Sequence, residues 1–152
     1  MKRDGDLSRL FQKHLTMAHW QSVETWSTGR GVPDLNYCLN GCEGWIELKA
    51  TTAWAVKLEP GQIAWMERRA RAGGRVFLAV RRKSPPGPRK GPGGDELWLL
   101  HHGAARELVI SGVGLSDLAP KHILGVWSGR PSAWDWDQVK HFLSFSEKPR
   151  DN

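Results

Sequence analysis

The dipeptide Asn40-Gly41 constrains this chain more than any other short segment. Asn-Gly between two strand-like runs favours a two-residue hairpin turn, and that turn sets the register of both arms. The arms are residues 32–39 and 42–50. With Asn40 and Gly41 in the turn, opposite positions sum to 81. Leu39 then faces Cys42, Leu35 faces Ile46, and Asp34 faces Glu47. Side chains alternate along a strand, so Ile46 and Leu48 point to one side, and Glu47 and Lys49 to the other. Asp34 shares the side of Glu47, with Cβ atoms ~4.5–5.5 Å apart. Lys49 follows one same-side step along, ~6.5–7 Å from Glu47.

Two carboxylates directly opposite one another repel. A chain that builds such a pair has either a neutralising partner or a use for the negative field. A divalent cation is the natural partner, because Mg²⁺ is commonly held by one or two carboxylates together with substrate phosphate and water. An adjacent ammonium can position water or stabilise charge developing on a phosphate. Spacing alone is equally compatible with a surface salt-bridge cluster of Asp34, Glu47 and Lys49. A bulge at Gly44 would break the register.

Around this hairpin the pattern is mixed. Residues 6–19 read as a helix with Asp6 as N-cap and Leu7, Leu10, Phe11, Leu15 and Ala18 at helical spacing. Residues 21–27 read as a short strand. A second helix starts near Pro60, continues through Ile63, Met66 and Ala70, and stops at Gly73-Gly74. Residues 75–81 and 96–101 read as strands. Between them, residues 84–94 hold four prolines and four glycines and are expected to form a flexible loop. A short helix at 103–108 and a strand at 123–127 are weaker signals. The last helix is expected to start at Ser132, with Asp135 completing a capping box and Trp136, Val139, Phe142 and Leu143 on its apolar face. The expected fold is α/β, a single domain with a central mixed sheet flanked by helices. Its core covers about 5–102, with a C-terminal extension over about 103–152.

Composition narrows the functional class. The 152 residues suit one domain, and no apolar run approaches the ~20 residues of a membrane span. The opening Met1-Lys2-Arg3-Asp4 lacks an apolar segment, so a secretory signal is not expected. Two cysteines, Cys38 and Cys42, are too few for a disulfide scaffold or a structural zinc site and point to a reducing, cytoplasmic setting. Lys plus Arg is 22 against 16 for Asp plus Glu, a net charge of +6, which suits a nucleic-acid partner or a generically basic surface. Nine tryptophans are available for stacking on bases, although packing explains most of them better. The basic residues nearest the second helix, its following strand and the Pro/Gly segment are candidates for phosphate contact: Arg81, Arg82, Lys83, Arg89 and Lys90, with Arg30 just before the carboxylate hairpin. Arg68 and Arg71 suit a solvated helix face equally well. His101-His102 reads as a strand end rather than a ligand pair.

Gly31-Val32-Pro33-Asp34, then Trp45-Ile46-Glu47-Leu48-Lys49, then Gln62 on a helix and Gly73-Gly74-Arg75-Val76 entering a strand, resembles the PD-(D/E)xK nuclease superfamily. Within it, the pattern is most similar to the VRR-NUC branch and its phage-type, Holliday-junction-resolvase-like members. The resemblance covers roughly residues 5–82 and extends towards the strand at 96–101. It implies a restriction-endonuclease-like core and a Mg²⁺-dependent endodeoxyribonuclease, with Mn²⁺ as a substitute, acting on branched or duplex DNA. The setting it implies is the cytoplasm of a bacterial or phage-infected cell. Asp34 and Glu47 become metal ligands, the Leu48 carbonyl a third, Lys49 the catalytic lysine and Gln62 an active-site helper. Many members carry a further acid on the first helix. Here that helix has none between Leu7 and Ala18, and Glu24 is the better candidate for an extra ligand. A homodimer is left open. The alternatives are a nucleic-acid-binding module of the same fold without turnover, and a restriction-like nuclease.

Overall fold

The computed structural model describes residues 3–23, 31–88 and 93–145. Its centre is a six-stranded sheet in the sequential order β1 (His19–Ser22), β2 (Leu35–Leu39), β3 (Cys42–Thr51), β4 (Arg75–Ser84), β5 (Gly94–His101) and β6 (Ile123–Ser128). Every neighbouring pair is antiparallel except β3 and β4. That parallel pair needs a crossover, supplied by α2 (Pro60–Arg71). The remaining helices are α1 (Leu7–His14), α3 (Ala104–Val109) and α4 (Trp136–Ser144). The architecture is thus α/β, a mixed sheet with helices on both faces. No helix among the described residues is long and apolar enough to cross a membrane.

Period-two alternation divides the apolar residues into two cores. Ile46, Leu48, Phe77, Ala79, Leu97 and Leu99 pack on one face with residues of α1 and α4. Leu78, Val80, Trp98 and Leu100 pack on the other, with Ile63 and Met66 of α2 and Ala105 and Leu108 of α3. Both sides of β4 and β5 are covered, which is why they read as continuous apolar runs.

The hairpin register holds as the turn chemistry dictates. Asn40 and Gly41 take φ of 51° and 78°, and the ladder runs from Leu39↔Cys42 to Leu35↔Ile46 without a bulge. Gly44 serves another purpose: it lies opposite Tyr37, and a Cβ there would come within 2.5 Å of the Tyr37 hydroxyl oxygen. That hydroxyl donates to the Leu143 carbonyl at 2.7 Å and ties the hairpin to α4.

Several boundaries differ from expectation. The first helix ends at His14, before Ala18, although Leu15 remains buried. Asp6 occupies the cap position in a left-handed conformation, and it is Asp4 whose carboxylate accepts from the amides of Asp6 (3.0 Å) and Ser8 (3.3 Å). The strand expected at 21–27 starts earlier, at His19; residues 24–27 lie outside the described residues. Segment 84–94 gives both its ends to the sheet, pairing Ser84 with Gly94. Pro85, Pro86 and Pro88 lie inside that last pair, outside the β4–β5 ladder, and Pro92 lies outside the described residues. The final helix is capped by Asp135, which accepts from the Gln138 amide at 3.1 Å, while Ser132 sits in a preceding 3₁₀ turn. Trp136 Nε1 donates to the Pro131 carbonyl across that turn and fixes the approach.

Candidate active site

The ladder between β2 and β3 stops one pair short of the carboxylates. In register, Pro33 would stand opposite Leu48, and a proline has no N–H to offer there. Beyond Ile46, therefore, β3 keeps β4 on one side and pairs with no strand of the described residues on the other. Asp34 covers part of that side: its Oδ2 accepts from the Leu48 amide at 2.9 Å. Within a strand, the amide and carbonyl of one residue point to the same side. The Leu48 carbonyl is consequently aimed towards the Asp34 side, as a third oxygen ligand would require.

Glu47 and Lys49 occupy the α2 face of β3. Glu47 is almost completely buried, at 1% exposure. Its Oε1 accepts from Gln62 Nε2 at 3.1 Å and lies 3.5 Å from Lys49 Nζ. Among the described residues its buried Oε2 has no hydrogen-bond partner. Burial first, then the neighbouring negative charge of Asp34, push the Glu47 carboxyl up to about 9; the Lys49 ammonium offsets only part of this. The site is thus short of positive charge, and a buried acceptor waits for a proton or a cation.

Gln62 connects chemistry to scaffold. Its Oε1 accepts from the Glu59 amide at 2.9 Å, forming one half of the capping box that starts α2. The same oxygen accepts from Lys49 Nζ at 3.2 Å, while the amide nitrogen donates to Glu47. Helix initiation and the placement of two site residues are therefore one hydrogen-bond network. Gly31 brings the Asp34 segment against this helix start. It has φ of 90°, and a Cβ on it would fall 2.2 Å from the Gly61 carbonyl oxygen. Only glycine fits there.

These residues open onto a groove of about 1400 Å³. Lys57, in the connection from β3 to α2, and Arg3, ahead of α1, add positive charge to its lining. Neither stood out in the sequence. Lys57 is signalled only by its position in a connection that must pass the carboxylates, and Arg3 by nothing local.

The structure brings together Asp34, Glu47, Leu48, Lys49 and Gln62. Glu24, Arg30, Arg89 and Lys90 lie outside the described residues. Lys83 is exposed on β4. Arg81 is not available for phosphate. Its side chain is buried, with Nε and Nη2 on the Asp95 carboxylate at 2.9 and 2.7 Å and Nη1 on the Gly5 carbonyl at 2.8 Å. Arg82 is likewise committed, to Glu96 at 2.9 Å and to the ring of Trp54. The alternation of β4 turns one arginine into each core, and both find acids across the ladder on β5.

The chemistry of the donor set suits a small hard cation: two carboxylates on one side of a sheet edge, a backbone carbonyl beside them and an unpartnered buried carboxylate oxygen. Among the described residues no group of three or more His, Cys, Asp or Glu side chains could hold a metal ion. The set that fits here has two side chains and a main-chain oxygen. No protein-family model, no curated protein and no solved structure matches this chain.

Proposed function

We propose that this chain is a metal-dependent endodeoxyribonuclease of the PD-(D/E)xK type, hydrolysing phosphodiester bonds in DNA, with a preference for branched substrates. The carrying observation is the buried Glu47 carboxylate, held beside Asp34 with one oxygen unpartnered and with Lys49 and Gln62 on the other. A fold that only needed stability would gain nothing from it, since burying a carboxyl without full partners costs desolvation whether it is protonated or charged.

Asp34, Glu47 and the Leu48 carbonyl would hold Mg²⁺ or Mn²⁺. When bound, the cation supplies Lewis-acid charge against the scissile phosphate and a readily deprotonated water. The other steps belong to the chain. Lys49, fixed by Gln62, presents its ammonium to the groove, where it orients the attacking water and stabilises the extra negative charge of the pentavalent phosphorus. Gln62 keeps Lys49 and Glu47 at their spacing so that the lysine is not drawn fully onto the carboxylate. Lys57 and Arg3 attract the backbone along the groove. The free thiols of Cys38 and Cys42 support a cytoplasmic setting.

Cleavage of labelled duplex, flap, fork and four-way-junction DNA, and of RNA, with Mg²⁺ and with Mn²⁺ tests the proposal. The expected result is cation-dependent cutting of DNA, fastest on the branched forms. Absence of cutting on every substrate with either cation would leave a binding module.

A further inference from the structure

We infer that Trp54 is a stacking platform for one unpaired base of the DNA strand lying in the groove; this inference rests on the nuclease reading. Three other tryptophans among the described residues are buried: Trp98, Trp127 and Trp134. Trp54 instead leaves 42% of its surface exposed, in the connection that follows β3.

It is nonetheless held firmly. Its carbonyl accepts from the Leu115 amide at 2.9 Å, and Gly114 approaches so closely that a Cβ there would fall 2.9 Å from that of Trp54. Thr51 bonds to Ala53 and Ala55 on either side of it. The Arg82 guanidinium covers the ring at 3.5 Å from its centroid, and Trp98 meets it edge-on at 6.4 Å. Glu96 accepts from both of these supports, at 2.9 Å from Arg82 and 3.3 Å from Trp98. An indole needed only to cover the second core would gain by sinking further. This one is braced from beneath and left open.

Its position gives the brace a purpose. Arg82 pairs with Thr51, two residues beyond Lys49 on β3. Along β4, Arg82 shares the side of Leu78 and Val80, the face that also carries Glu47 and Lys49. One strand across and two residues along separates Lys49 from Arg82, which underlies the platform, by about 8 Å between Cα atoms. Thr51, Thr52 and Ala55, which flank Trp54 in sequence, line the groove itself.

An aromatic ring stacks on any base that is free of its own neighbours, whereas a base inside an intact duplex must first be unstacked. The platform therefore favours DNA with an unpaired base near the cleaved phosphate. That gives a physical basis for preferring forks or flaps over duplex.

Binding in the absence of metal tests this without turnover. The probes are a fully paired duplex and the same duplex opened into a fork, with 2-aminopurine in its unpaired arm. Trp54→Ala should weaken fork binding by about tenfold or more, leave duplex binding within twofold, and abolish the 2-aminopurine quenching. Trp54→Phe should keep most of both effects, and its melting temperature controls for folding. Equal losses on fork and duplex, or no loss on either, would overturn the platform while leaving the nuclease proposal intact. Failure of the wild type to bind any DNA would overturn both.

Discussion

Two buried ionisable groups sit on the central strands of this sheet and are treated in opposite ways. Arg81 on β4 has a bidentate carboxylate and a main-chain carbonyl; every nitrogen of its guanidinium has a partner. Glu47 on β3 is buried more deeply, beside another acid, with one oxygen unpartnered. A charge with complete partners locks an interface, here the N-terminal segment against the β4–β5 hairpin. A charge without them stores a demand that a ligand can meet. The difference marks Arg81 as structural and Glu47 as the candidate for function, although the two lie on neighbouring strands.

The sharpest way to break the comparison acts on the unmet charge. Lys49→Ala or Asp34→Asn should reduce cleavage by about 10³-fold or more, with DNA affinity changed only a few-fold. Single-turnover assays and binding titrations on the same preparations check this. Either variant cutting at near wild-type rate would remove the carboxylate hairpin from the chemistry.

Arg81→Ala should behave in reverse. Removing one partner of a buried pair strands the other, and because Asp95 keeps some solvent contact the expected loss is about 3 kcal/mol, the lower end for such pairs. Urea melts would show it, and activity per folded molecule should persist. A loss of DNA affinity without a loss of stability would return Arg81 to the phosphate-contacting residues.

A finer test uses pH. In the folded chain the Glu47 carboxyl titrates near 9, against its ordinary 4.5. A folded pKa raised in this way means the folded state holds the proton more tightly. The stabilisation is complete below the unfolded value and is lost as pH rises towards 9. Metal-free wild type should therefore lose stability between pH 5 and 9. Glu47→Gln, fixed in the neutral form, should lack that slope and melt above wild type at pH 8. Mg²⁺ or Mn²⁺ at ten times its dissociation constant should restore about 1.4 kcal/mol to the wild type at pH 8 and little to the variant. Melts in chelator and in cation at pH 5.5 and 8 give all four values.

The smallest effect is expected at the groove lining. Lys57→Ala should lower the slope of log K against log salt by about 0.9, the signature of one lost phosphate contact, with cleavage at saturation unchanged. An unaltered slope would take Lys57 out of the DNA path.

Turn chemistry is local, and so the hairpin was legible: Asn40-Gly41 fixed which residue faces which, and the shared face of Asp34, Glu47 and Lys49 followed. The resemblance pointed to Gln62 beside the carboxylates, where its hydrogen bond to Glu47 places it, but its bond to the Glu59 amide depends on where α2 begins. That β2 does not pair alongside Leu48 was written in Pro33, yet it acquires meaning only once β3 is known to extend past β2. Arg81 was misread because its partner arrives from beyond a Pro/Gly segment and no periodicity links Arg81 to Asp95. The helix boundaries at Asp4 and Asp135 shifted for a similar reason. Several side chains near each start were able to cap, and tertiary contacts such as that of Trp136 selected among them.

The single parallel pair has a consequence for how the chain comes together. β1–β3 form one antiparallel meander and β4–β6 another, joined by a seam whose partners, such as Gly44 and Arg75, lie about 30 residues apart. Each meander can start from closer pairs, 13 residues apart for Ser22 and Leu35 and 23 for Leu100 and Ile123, whereas no pair of the seam is closer than 31. Glu47 and Lys49 ride on that seam, and Gln62 on the helix that spans it. The expected order of folding therefore completes the carboxylate site late, after the two halves have formed their own ladders, so the site exists only in a chain whose sheet is whole.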